Sequence, residues 1–220
     1  MRNRFDSPYD AVLHLLDRQV LDSDGLMVCK VDDLELVRVG SSWWISALLS
    51  GTAALLPRLG GRAGERAMRF WKRMAPEQTD RDVPYRVEIT EVADLTSAVN
   101  LSRPRQQALV RERRADSRQL RNLLECRVRT EAGEDLGHVL DVRIDHDGHR
   151  LVGLVVGRGR PDSLLGYDRH PQQGPAALRL IVRMLHRHSG YATWDQISEL
   201  DWDRGQLTLT GRLQPLQAAS

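Results

Sequence analysis

Cysteine, aromatic side chains and lysine are all scarce in this chain. Its two cysteines, Cys29 and Cys126, are too few for a disulfide framework and show no zinc-ligand spacing. Their scarcity suits a reducing compartment, and the expected location is cytoplasmic. Aromatic residues make up only 5% of the chain, so each tryptophan is informative about packing or contact. Lysine occurs twice, at Lys30 and Lys72, against 30 arginines. Arginine offers a planar fork suited to phosphate, but a G+C-rich genome enriches arginine everywhere, and both readings stay open. The net charge is only +2, which excludes a uniformly basic nucleic-acid coat.

Long apolar runs are scarce as well. The longest, SSWWISALLSGTAALL at Ser41–Leu56, lies among the 19 uncharged residues between Arg38 and Arg58. Roughly 20 apolar residues cross a bilayer. This run is diluted by Ser41, Ser42, Ser46, Ser50, Thr52, Gly40, Gly51 and Pro57, so no membrane span is expected. The opening MRNRFDSPYD has no apolar core of a signal peptide and carries Asp6, so no export signal is expected in it. A lysine-bearing phosphate loop is missing too, as is any Ser/His/Asp or Cys/His set in a supporting motif. No catalytic residue, metal site or cofactor is therefore expected, and the chain reads as a non-enzyme.

What is present is a repeat. LLDRQVLDSDGLMVCKVDDLEL (Leu15–Leu36) aligns with LLECRVRTEAGEDLGHVLDVRI (Leu123–Ile144) at an offset of 108, Leu15 to Leu123. Leu15, Leu16, Val20, Gly25, Val31 and Asp33 meet Leu123, Leu124, Val128, Gly133, Val139 and Asp141. At the same offset Ile89–Val92 meets Ile197–Leu200, and Trp43–Leu49 meets Leu151–Gly157. The chain thus reads as two copies of one domain, at 10–102 and 122–212, with flexible termini at 1–9 and 213–220.

In the second copy LGHVLDVRID alternates as a half-buried strand. Asp147-Gly148 signals a two-residue hairpin, and Arg150–Gly157 is the returning strand. Arg127–Thr130 and Gln206–Thr210 complete a set of short strands with tight turns, so the fold class is mainly β, in two tandem small antiparallel barrels. Each copy also has one amphipathic helical pattern. Gly64–Met74 carries Arg62, Arg66, Arg69 and Arg73 at its edge, and Gly174–His188 carries Arg179, Arg183 and Arg187.

The second copy, from Leu123 to Thr210, resembles the PRC-barrel family. The resemblance rests on Val128, Gly133, Gly137, Val139, Asp141 and Val142, then Leu154–Val156, then Trp194 and Ile197. In the first copy Cys29 stands at the place of Gly137 and Arg86 at that of Trp194. The resemblance implies a small all-β adaptor of the kind that occurs in the photosynthetic reaction-centre H subunit and in ribosome maturation factors. It brings no catalytic residues.

Candidate chemistry is weighed against plain structure. His146, His149, Asp145 and Asp147 in DHDGH have metal-binding side chains, but such residues are also ordinary at a hairpin tip. His186 and His188 lie two apart on the expected helix and point apart. GRGRP at Gly157–Pro161 has the make-up of a phosphate-touching or merely flexible loop. Asp33 and Asp141 occupy matching places, which strand-edge hydrogen bonds explain without catalysis.

Trp43 and Trp44 are neighbours on an expected strand, so one of them faces outward. With Trp202 and Tyr167, that outward residue is a candidate contact for an unidentified protein partner or for a homodimer. Between the copies, 103–121 reads as a charged, partly helical linker. Its Arg103, Arg105, Arg111, Arg113, Arg114, Arg118 and Arg121 against Glu112 and Asp116 give a local net charge of +5. With Arg179, Arg183 and Arg187 they are the candidate anion or nucleic-acid contacts, and the alternative partner is RNA or a ribonucleoprotein.

Overall fold

The computed structural model describes residues 2–3, 8–51, 54, 83–112, 114–145, 148–158 and 189–216. The two expected helices, Tyr167, Arg113, Arg179, Arg183, Arg187, His146, Asp147, His186 and His188 lie outside the described residues. The described chain is mainly β, and among these residues no helix is long and apolar enough to cross a membrane.

In chain order the strands are β1 (Arg2–Asn3), β2 (Tyr9–Asp10), β3 (Gln19–Leu21), β4 (Met27–Lys30), β5 (Asp33–Val39), β6 (Ser42–Ser50), β7 (Tyr85–Glu88), β8 (Val92–Leu95) and β9 (Val99–Leu101). They continue as β10 (Ser117–Gln119), β11 (Arg127–Thr130), β12 (Asp135–Ile144), β13 (Leu151–Gly157), β14 (Gly190–Thr193), β15 (Ile197–Asp201), β16 (Gln206–Leu209) and β17 (Gln214–Pro215). Short helices are α1 (Ala11–His14), α2 (Arg105–Ala108) and α3 (Leu120–Leu124).

The chain divides into two compact units that meet at Arg121/Asn122, where the second copy begins, but each also takes a short segment from elsewhere in the sequence. Unit 1 takes Met1–Ser7, Leu15–Arg121 and Gly148–Arg150, and unit 2 takes Pro8–His14, Asn122–Asp147 and Leu151–Ser220. The segment read as a linker supplies β10, which pairs antiparallel with β5 in unit 1, Gln119 opposite Glu35. Segment 8–14, at the start of the chain, supplies β2, which pairs with β12 in unit 2, Asp10 opposite Arg143.

Within unit 2 the strands form one sheet in the order β15-β16-β11-β12-β13-β14-β17, with β2 added to β12. β13, LVGLVVG, is buried along most of its length, as a β-branched run between two neighbours should be. Gly137 makes the continuous course of β12 feasible. Its φ is +106°, and a Cβ there would sit 2.1 Å from the Gly157 carbonyl oxygen.

Unit 1 has the same succession, yet its counterpart of β12 is broken into β4 and β5, which belong to different sheets. Cys29, opposite Val20, stands where Gly137 faces Val128. The strand leaves its course at Asp32, whose amide donates to the Leu49 carbonyl at 2.8 Å and whose carboxylate accepts from Gly51 N at 2.7 Å. The outcome is a five-stranded sheet, β1-β8-β9-β3-β4, and a four-stranded one, β10-β5-β6-β7.

The register shows that the correspondence between units does not keep one offset. Leu48 lies opposite Leu34 and Leu154 opposite Val142, so β6 matches β13 at an offset of 106 (Leu48 to Leu154). Trp43 and Trp44 therefore precede the matched strand. The single-turn 3-10 helices Ile89–Glu91 and Trp194–Gln196 match at 105, and Val92 faces Leu101 as Ile197 faces Leu209. Ile89 thus takes the place of Trp194, and Arg86 that of Tyr191. The expected two-residue hairpin at Asp147-Gly148 is also longer. β12 ends at Ile144 and β13 starts at Leu151, because the backbone of 148–150 pairs elsewhere, Ile45 N donating to His149 O at 2.9 Å.

The twin aspartates hold each unit's borrowed segment. Asp141 is buried, and its carboxylate accepts from Val142 N at 2.7 Å, Val12 N at 2.8 Å and Leu13 N at 3.3 Å. Buried Asp33 accepts from Leu34 N at 2.8 Å and Arg121 N at 3.3 Å. The amides of Val12, Leu13 and Arg121 are otherwise orphan donors in the first turns of α1 and α3. Asp141→Ala strands three amides, and a buried orphan costs about 1–3 kcal/mol. The expected loss is about 2–4 kcal/mol, read as a lowered urea midpoint at unchanged m-value.

Candidate partner-binding surface

The best-supported surface lies on the outer edge of the four-stranded sheet of unit 1. β7, YRVE, pairs with β6 on one side through Ala47–Glu88 and Ser50–Tyr85. Among the described residues its other side carries one bridge, in which Arg86 N donates to Val110 O at 2.8 Å and Val110 N to Arg86 O at 3.0 Å. That bridge brings part of the arginine-rich segment to a sheet edge. Alternation along β7 turns Tyr85 outward and Arg86 inward.

Arg86 is the anchor beneath this edge. Its side chain is 2% exposed, its Nε donates to Glu35 Oε1 at 2.9 Å, and its Nη1 donates to Glu88 Oε1. Ser46 Oγ donates to the same Glu35 oxygen at 2.6 Å. Burial by itself lowers the guanidinium's pKa, and the two carboxylates more than reverse it. Arg114 adds a second cation 3.6 Å from Glu88. The pairing fixes β7 against β5 and β6.

Above it the surface is half apolar. Tyr85 is 39% exposed and Val110 is 44% exposed, and the Arg111 guanidinium lies 4.2 Å from the centre of the Tyr85 ring. Aromatic residues and arginine are the side chains enriched at protein interfaces. Sequence alone does not single out Tyr85 or Val110. The one signal is the adjacency of an aromatic to Arg86 in a short alternating strand.

The structure redistributes the residues expected to bind. Trp43 and Trp44 belong to unit 1 and Trp202 to unit 2, in the turn between β15 and β16, so the three do not share one unit's surface. Neither Trp43 nor Trp44 is fully exposed. Trp44 is the covered member of the pair. Its ring packs where a Cβ on Gly148 would stand 2.8 Å away, and its indole Nε1 is buried without a hydrogen bond. Of the two neighbours expected to face opposite ways, Trp44 is thus the one packed against 148–150.

The arginines of 103–121 also separate by task. Arg103 pairs with Glu91 at 2.9 Å, Arg114 with Glu88, and Arg111 with Tyr85, while exposed Arg118 lies on β10 opposite Leu36. Arg105 and Arg121 give their backbone amides to Asp22 and Asp33. Among the described residues their charge is thus partly matched by local acids, at Arg103 and Arg114.

Reactive chemistry is weak across the described residues. Burial pushes the Cys126 thiol up to about 11, and burial raises Cys29 too, against a hydrogen bond with Ser50, so both thiols stay protonated at neutral pH. Burial lowers the pKa of His149. Among the described residues no group of three His, Cys, Asp or Glu is placed to hold a metal ion.

Comparison with known proteins adds one assignment. Residues 115–177 match the PRC-barrel domain, a span that opens on the β10 segment of unit 1 and continues through β11, β12 and β13 of unit 2. No curated protein matches the chain.

The buried acids of unit 1 can be tested by substitution. Arg86→Ala leaves Glu35 buried without its cation, and breaking a buried pair costs roughly 3–5 kcal/mol. Arg86→Ala combined with Glu35→Gln is expected to recover part of that loss in a thermal melt. Asp22 is the second case. Burial raises its pKa, but amide hydrogen bonds from Leu26, Arg105 and Asp24 outweigh that and leave it below the usual carboxylate value. With the folded pKa depressed, its contribution is complete above the ordinary carboxylate pKa and is lost as pH falls through the folded value. Asp22→Asn is expected to flatten the acid-side fall in stability below about pH 4, measured by urea midpoints across pH.

Proposed function

We propose that this chain is a non-enzymatic adaptor that holds a protein partner, built on two PRC-type units in tandem. The matched span 115–177 supports the type of the second unit, and the matching strand succession supports the extension to the first. The observation that carries the adaptor reading is the exposed Tyr85 with Arg111 stacked on it beside Val110, over a buried ion pair. A sheet edge that carries a single bridge among the described residues also accepts an extended peptide by strand addition.

The alternative partner is RNA or a ribonucleoprotein, favoured by the +5 balance of 103–121. Ion pairs at Arg103 and Arg114 weigh against it by reducing the charge left for phosphate. The two readings separate in one capture experiment. Tagged protein is retrieved from lysate of its own cells with and without nuclease, alongside Tyr85→Ala and Arg111→Ala variants. A stoichiometric protein that survives nuclease and is held roughly ten-fold more weakly by either variant supports the adaptor. Prey lost to nuclease, with affinity for purified RNA falling steeply with salt, overturns it in favour of RNA.

A further inference from the structure

The stretch Leu109–Glu112, LVRE, lies between two well-fastened parts of unit 1. Ahead of it, Ser23 N donates to Arg103 O at 3.2 Å, Arg105 N donates to Asp22 Oδ2 at 3.2 Å, and Ala108 at the end of α2 is buried. Behind it, β10 pairs with β5 over Ser117–Gln119, Ser117 opposite Val37. The chain therefore meets the four-stranded sheet at one edge through Val110 and rejoins it at the other through Ser117, past β6 and β5.

The stretch itself is held lightly. LVRE has no run of alternating apolar residues with which to bury a face, and Val110, Arg111 and Glu112 are exposed. Among the described residues it reaches β7 through the paired hydrogen bonds of Val110 with Arg86 and through the Arg111 guanidinium over Tyr85. Just beyond it, Arg114 reaches Glu88 at 3.6 Å, and the Arg114 carbonyl accepts from Ser117 N at 3.4 Å and Ser117 Oγ at 2.9 Å. Each of these contacts is modest: a bridge of backbone hydrogen bonds at an edge, an exposed cation on a ring, and a half-exposed ion pair. Ordering the stretch costs about as much as they contribute, so its docked state has a narrow margin.

We propose that Leu109–Glu112 is a strap that opens and closes on β7, with the Arg114–Glu88 ion pair as its latch. Closed, it brings Val110 and Arg111 to Tyr85 and completes the partner surface. Open, it carries both residues away, while Arg86 keeps Glu35 and Glu88 through its side chain and β7 stays paired with β6. With Arg114 pinned to Glu88, the chain left to close between α2 and the latch is short. Without the pin it runs on to β10, and closing the longer span costs more entropy. Salt screens a half-exposed pair, so the surface comes apart at high ionic strength even for a partner that carries no charge. The consequence for a partner rests on the adaptor reading; the opening itself does not.

Amide hydrogen exchange resolved by residue tests the strap in the full-length chain. The amides of Val110 and Arg86 report the strap, and those of Leu48 and Val87, which face each other across β6 and β7, report the sheet. The strap amides are expected to exchange ahead of the sheet amides. They should exchange about two- to five-fold faster still when salt rises from about 0.05 M to about 1 M, the range an exposed ion pair accounts for. Arg114→Ala is expected to show the faster exchange already at low salt and to lose most of the salt response, while Arg114→Lys keeps both near wild type. The sheet amides stay unchanged throughout. Strap amides that exchange in step with Leu48 and Val87, or that ignore both salt and Arg114→Ala, overturn the proposal. Partner capture separates it from the adaptor reading. A partner held more weakly by Arg114→Ala than by wild type at low salt, and equally by the two at high salt, supports both. A salt-responsive strap with no partner captured by wild type or variant supports the strap and overturns the adaptor.

Discussion

A buried carboxylate that gathers backbone amides from a distant part of the chain is the interaction on which both units depend. Asp141 takes amides from Val12 and Leu13, 129 and 128 residues away, and Asp33 takes one from Arg121, 88 residues away. Such a group is costly to bury unless its lone pairs are filled, and the donors that fill it are the amides a helix start leaves without partners. The two needs cancel only when the segment is in place. Each aspartate thereby makes correct docking of a remote segment a condition of burying its own strand.

Around that shared device the units use the neighbouring position differently. Position 35 in unit 1 holds a carboxylate paired with buried Arg86, and position 143 in unit 2 holds a guanidinium set over Tyr191. One backbone geometry thus supports an ion pair or a cation on a ring, depending on side chains alone. The ion pair of unit 1 fixes β7 and leaves Tyr85 outside it. In unit 2 the ring of Tyr191 fills the space above Gly153, where a Cβ would come within 2.2 Å of the phenolic oxygen.

Much of the β character is legible in sequence, because alternation in LGHVLDVRID and the run LVGLVVG report burial directly. The equivalence of Asp33 and Asp141 is also visible there, with turn or strand-edge hydrogen bonding as its reason. What sequence does not convey is the destination of those bonds, since a carboxylate does not name the amide it will accept. The fixed offset of 108 fails from Trp43 to Val92 because loops differ in length by two or three residues while strand register is preserved, and it returns at Leu101 and Leu209. Leu48 aligns with Leu154 by pairing and not by counting. Adjacent residues on a strand do face opposite ways, but sequence does not say which of Trp43 and Trp44 lies against 148–150; in the structure Trp44 does. Tyr85 escapes a sequence reading because nothing in YRVE alone reveals that it lies at a sheet edge beside Val110 and Arg111.

The main boundary between the units, between Arg121 and Asn122, falls where the second stretch begins, yet unit 2 also takes Pro8–His14 and unit 1 also takes Gly148–Arg150. Folding therefore crosses that division in both directions. A fragment of 122–212 alone would lack Pro8–His14, whose Tyr9 and Asp10 pair with β12. Truncation at the repeat boundary damages both halves at once. Neither stretch can be discarded while the other stays whole.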